Sequence, residues 1–104
     1  MLRTELYFGM GRSDGSEISE DQWEAFVRDE ITPRFPDGLT VLSARGQWRD
    51  AGGSIHRESS RVLVLLHERS AEADSNIERI RMIYCERFAQ DSVLRIDSPV
   101  RVSF

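Results

Sequence analysis

The chain has 104 residues, of which 39% are hydrophobic and 31% charged, and it carries a net charge of -4. One domain spanning 1–104 is expected, and at that length roughly 60–70% of the unfolded surface is buried without staples. The acidic balance argues against a broad phosphate-binding surface, which needs an excess of basic residues. The longest apolar run, residues 62–66, is too short to cross a membrane. A lone cysteine, Cys85, excludes an intrachain disulfide. All 14 basic residues are arginine. That reflects either base composition or a preference for bidentate anion recognition. The opening Met1-Leu2-Arg3-Thr4-Glu5-Leu6 is charged at positions 3 and 5, unlike a signal peptide, so the expectation is a soluble cytoplasmic protein.

Residues 3–10 alternate as a strand, with Leu6 and Phe8 on one face and Glu5 and Tyr7 on the other. The glycine-rich stretch 9–16 ends it as a loop. Ser19 then reads as an N-cap, with Gln22 completing a capping box and Ile18 and Trp23 forming a hydrophobic staple. Trp23, Phe26, Val27 and Ile31 make one apolar stripe, and Pro33 stops the helix. Residues 39–48 form a second strand, 50–54 a hairpin loop and 55–67 a third strand. The run Val62-Leu63-Val64-Leu65-Leu66 is apolar on both faces, as in a central strand covered on both sides. Ser70 caps a second helix whose stripe is Ala73, Ile77, Ile80, Tyr84 and Phe88. Residues 93–96 form the last strand, with 100–104 a candidate extension beyond Pro99. The order β-α-β-β-α-β gives a ferredoxin-like α+β sandwich: a four-stranded antiparallel sheet ordered 4-1-3-2, with both helices on one face.

Few site motifs survive inspection. Gly9-Met10-Gly11 lacks the third glycine of a dinucleotide fingerprint, because Asp14 stands there. His56 and His67 lie roughly 36 Å apart along one strand and cannot share a metal, so no metal is expected. No cofactor motif occurs. A hairpin centred near Gly52 pairs Arg45 with Ser59, Gln47 with Arg57 and Ser43 with Arg61. If Leu42, Ala44, Val62, Val64 and Leu66 face the helices, the open face carries Glu5, Tyr7, Val41, Arg45, Gln47, Arg61, Leu63, Leu65 and Arg95. Exposed Leu63 and Leu65 would demand a cover, and a second subunit packed sheet on sheet supplies one. The expectation is a homodimer through this face, binding a small anionic molecule on or beside it. The ligand-binding candidates are Arg45, Gln47, Trp48, Arg34 and Arg61, with the hairpin end of the second strand lining the site. The alternative is a small enzyme of the dimeric α/β-barrel type acting on an aromatic or carbonyl substrate. There Tyr7 or Glu5 would move a proton and Arg45 would hold an anion. Binding of RNA on the sheet needs aromatics on the central strands, where only Tyr7 stands, so no nucleic-acid partner is expected.

Four stretches resemble one family. They are Thr4-Glu5-Leu6-Tyr7-Phe8-Gly9, Thr32-Pro33-Arg34-Phe35-Pro36-Asp37-Gly38-Leu39-Thr40-Val41, Ala44-Arg45-Gly46-Gln47-Trp48-Arg49 and Asp97-Ser98-Pro99-Val100. Together they are similar to the bacterial family catalogued as domain of unknown function 3574, over nearly the whole chain. The resemblance implies no assigned activity. It also implies that some relatives are exported or lipid-anchored, whereas this sequence starts directly at the first strand.

Overall fold

Strand β1 (Leu2–Gly9) lies at the centre of the molecule because one face of it, Leu6 and Phe8 with the small polar Thr4, is buried throughout. In the computed structural model, which describes residues 1–104, Thr4, Leu6 and Phe8 are fully buried. β1 pairs with β3 (Ile55–His67) on one side and β4 (Leu94–Pro99) on the other, both antiparallel. β2 (Thr40–Arg49) adds to the outer edge of β3. The sheet order β2-β3-β1-β4 is the expected ferredoxin-like order read from the opposite edge.

Helix α1 (Glu20–Phe26) begins as its sequence dictates. Ser19 Oγ accepts from the Gln22 amide at 3.1 Å and Gln22 Oε1 accepts from the Ser19 amide at 2.9 Å. Its last turn widens into a π-helical turn, Val27–Ile31, in which the Thr32 amide reaches back to the Val27 carbonyl at 2.9 Å. Helix α2 (Ala71–Phe88) is capped by Ser70 and ends at Ala89 in the left-handed conformation. It presents Ile77, Ile80, Tyr84 and Phe88 to the sheet. Tyr84 stands at the middle of the core, with ring centroids 4.7 Å from Phe8 and 5.2 Å from Phe26. Its hydroxyl donates to the Gly9 carbonyl, and burial pushes its pKa far above the ordinary phenol value.

The expected pairings of Arg45 with Ser59, Gln47 with Arg57 and Ser43 with Arg61 are all present. The expected faces of β2 and β3 are reversed. Leu63 pairs with the core residue Leu6, so Leu63, Leu65 and Val41 turn to the helices; Leu63 and Leu65 are buried and Val41 half-buried. Val62, Val64, Leu66, Leu42 and Ala44 therefore occupy the open face, beside Glu5 and Tyr7. Five consecutive apolar residues carry no phase of their own, and only the pairing with β1 fixes it. The tail after Pro99 forms no strand, although the Val100 amide bonds the Met1 carbonyl at 3.0 Å.

Candidate functional site

Tyr7 and Glu5 share the open face because they are two residues apart on one strand. The Tyr7 hydroxyl donates to Glu5 Oε1 at 2.9 Å, and Arg3 Nε lies 3.5 Å from Glu5 Oε2. The bond to Glu5 raises the Tyr7 pKa, with burial and the Glu5 charge adding to it and Arg3 opposing. At neutral pH the phenol is thus a donor rather than a base. Tyr7 borders a recess of about 370 Å³ with Gly46, Glu58, Ser60, Gln90 and Asp91. This recess holds two carboxylates and no cation.

Arg45, Gln47 and Arg61 lie on the opposite, helix-side face, in correction of the expected arrangement. Each alternates with a residue of the open face, so the single-residue error in phase moves all three together. The set Tyr7, Glu5 and Arg45 is split between two sides of the sheet. Arg61 is engaged by Glu20 at the start of α1, with its side chain largely covered. Arg95, also assigned to the open face, sits on the helix side too. It contacts Asp74, Glu78 and Asp97 at 2.9, 2.9 and 3.1 Å.

β1 pairs with β3 only as far as Gly9 opposite Ser60, and the Met10 amide bonds the Ser59 carbonyl. Beyond that point residues 46–49 and 55–58 pair only with each other and form a projecting arm. Trp48 and His56 stack on its open-face side, with ring centroids 4.3 Å apart and planes 16° from parallel. His56 Nε2 is 2.8 Å from Asp50 Oδ2 in the turn. That bond, together with the Ser54 amide, holds the Asp50 carboxyl below its usual range.

A second recess, of about 600 Å³, lies at the other end of β2. The segment from Arg34 to Leu39 makes its rim. That segment is a run of turns: the Arg34 and Phe35 amides both reach back to the Ile31 carbonyl at 3.0 Å, and Gly38 stands at φ 151°. Arg34, Phe35, Thr40, Leu66, His67 and Phe104 are among its walls. Of the predicted ligand-binding residues, Arg34 alone lines it. Arg34 Nη1 donates to the Glu30 carbonyl at 2.8 Å and lies 3.6 Å from Glu30 Oε1, while its other guanidinium nitrogens have no protein partner.

Behind this recess runs a polar chain that no motif announces. The Thr4 hydroxyl donates its one proton to Asp97 Oδ1 at 2.6 Å, because an ionised carboxylate only accepts. Thr4 Oγ1 therefore accepts from His67 Nε2 at 2.7 Å, and His67 Nδ1 faces the Glu68 carbonyl at 2.9 Å. Burial alone would raise the Asp97 pKa, but bonds from Thr4 and Arg95 outweigh it and hold the carboxyl low. The one signal in the sequence is a polar Thr4 in the phase of Leu6 and Phe8.

No group of three or more His, Cys, Asp or Glu side chains is arranged to hold a metal ion. No helix is long and apolar enough to cross a membrane. Among solved structures, the chain is similar to a phage SAM lyase in complex with S-methyl-5'-thioadenosine. The TM-score is 0.67 and the identity 18%, over 93% of this chain and 79% of that one. The apo state of a phage SAM lyase gives a TM-score of 0.68 at 18% identity, over 93% and 78%. A mutant of CutA1 from Pyrococcus horikoshii OT3 gives 0.56 at 18% identity, over 98% and 87%. At these identities the likeness is one of fold. Comparison with curated proteins gives no match. Over residues 3–104 the chain matches the family described as Protein of unknown function (DUF3574), and it belongs to that family.

Proposed function

We propose that this protein is a self-associating small-molecule binder. Copies pair through the open sheet face, a homodimer being the smallest closed assembly. An anionic ligand with an apolar body sits beside that face, in the recess at Arg34. The observation that supports this most directly is the continuity of an apolar open face with that recess. Leu42 and Leu66 are 49 and 46% exposed around the less exposed Val62 and Val64, and across the β1 row of Glu5 and Tyr7 Leu94 and Ile96 are 57 and 42% exposed. A monomer rarely leaves this many large apolar side chains bare on one sheet face. Leu66 belongs both to this surface and to the recess wall. The recess falls in the size range of small-molecule sites, with apolar walls and a few polar groups that can fix orientation. The unbonded nitrogens of Arg34 suit a carboxylate or phosphate.

Thermal-shift and calorimetric titrations test the ligand. Adenosine monophosphate and benzoate serve as anionic probes. S-methyl-5'-thioadenosine serves as a neutral one, because a protein of the same fold binds it. An anionic probe should raise Tm, and Arg34→Ala should abolish the shift. No response to any probe at millimolar concentration would sink the ligand assignment. Light scattering tests the association: a mass of 12.0 kDa at micromolar concentration would rule it out. The enzyme alternative is weaker, because its proton-moving pair and its arginine stand on opposite sides of the sheet in one chain.

A further inference from the structure

The open face has two exposed ends. At one, Trp48 is 58% exposed on the projecting arm, stacked on His56. At the other, Leu66 is 46% exposed on the wall of the Arg34 recess. His56 and Leu66 are ten residues apart on β3, about 33 Å at strand rise. In aligned packing, two sheets stack through their open faces with strands running the same way or opposite ways. Stacked the same way, arm meets arm. The recess at the arm's base, with Glu58 and Asp91 and no cation, then meets its own copy. Like charges brought together across an interface are unfavourable. Leu66 is left to pair only with Leu66. Stacked the opposite way, the acidic recesses separate, and each arm tip lies over the other copy's Leu66 end. Trp48 and Leu66 are then both covered, twice in each pair. The arm is suited to this part. A two-stranded ribbon is marginal alone and gains stability from a surface to lie on, and Asp50 fixes its turn through the Gly52 and Ser54 amides at 2.9 and 3.0 Å.

Resting on the sheet-face pairing proposed above, we infer that the arm of one copy caps the Arg34 recess of a second copy, laying its Trp48–His56 pair against Leu66 and the apolar wall. The ligand site is then incomplete in a single chain: Arg34 comes from one copy and the aromatic lid from the other. Arg45 and Gln47, on the helix-side face of β2, take no part in the lid.

Cross-linking tests this in a Cys85→Ser background, which removes the one native thiol. Chains carrying Trp48→Cys are mixed with chains carrying Leu66→Cys, oxidised with copper-phenanthroline and run on non-reducing gels. A covalent dimer should form in the mixture and not from Trp48→Cys chains alone. A dimer from Trp48→Cys alone would show arm meeting arm and overturn the capping. So would no cross-link in the mixture while light scattering finds an assembly; the pairing itself would then stand. A monomeric wild-type chain sinks both. A second readout avoids engineered thiols. Because Trp23 is buried, dilution to single chains should red-shift tryptophan emission through Trp48, and Trp48→Phe should lose that shift. An unchanged spectrum on dissociation would also overturn the inference.

Discussion

Thr4 is the residue on which three strands depend. It is fully buried, with its hydroxyl between Asp97 and His67. Replacement by Val keeps the shape and removes both bonds, leaving a buried ring nitrogen without a partner. The expected loss is about 1–3 kcal/mol, read as a fall in the urea midpoint. The pH dependence follows from Asp97. Its carboxyl is held below the ordinary value, since Thr4 and Arg95 outweigh the opposing effect of burial. A depressed pKa gives stability that is present above the unfolded value, roughly 3.9, and lost as pH falls through the folded value. Wild type and Asp97→Asn should therefore differ most near neutrality and converge as acid is added. A gap constant across urea titrations at stepped pH would exclude this origin. The shared face of Tyr7 and Glu5 was legible in the sequence, because they stand two residues apart on one strand. The Thr4–His67–Asp97 chain was not, because its members lie 63 and 93 positions apart and meet only through the register of three strands.

At the scale of elements, local chemistry was readable wherever a side chain bonds its own neighbourhood. Ser19, Gln22 and Ser70 cap the helices as their spacing demands, and the hairpin centre near Gly52 gives the correct partners along β2 and β3. The phase of those strands was not readable. It depends on which of two apolar sets meets β1, and residues 62–66 offer both. The π-helical turn also has no signal, since a stripe of Trp23, Phe26, Val27 and Ile31 fits an unbroken α-helix. The arm is an element whose stability is local. Asp50 accepts from Gly52 and Ser54 with one oxygen and contacts His56 with the other. Asp50→Ala should speed amide exchange in residues 46–49 and 55–58 by roughly tenfold, the loss of about one net hydrogen bond. The global urea midpoint should not move, because no core residue lies in the arm. Equal slowing or speeding across the whole sheet would show that the arm is not a separate unit.

The shape of the whole molecule reflects that division. Its radius of gyration is 14.7 Å, against about 13 Å expected for a compact chain of this length, and its longest dimension is 45 Å. The arm adds length without adding core. One cluster of 14 buried residues, centred on Phe8, Phe26 and Tyr84, lies between the sheet and the helices and holds the fold. The open face contributes little to it, because Leu42 and Leu66 remain about half exposed. Folding and association should thus be separable. If copies pair through this face, assembly adds to stability by mass action, and Tm rises with protein concentration. For a dimer, a tenfold rise in concentration is worth about 1.4 kcal/mol per mole of pair, a shift of a few degrees at this size. The double substitution Leu42→Glu, Leu66→Glu places charge on both apolar surfaces at sites where the single chain tolerates it. Its Tm should be independent of concentration and equal to that of the wild type at high dilution, with unchanged circular dichroism. If the double variant instead keeps the concentration dependence of the wild type, the copies meet through another surface. If the wild type shows no such dependence over a hundredfold range, the apolar face is bare in solution and needs a different occupant.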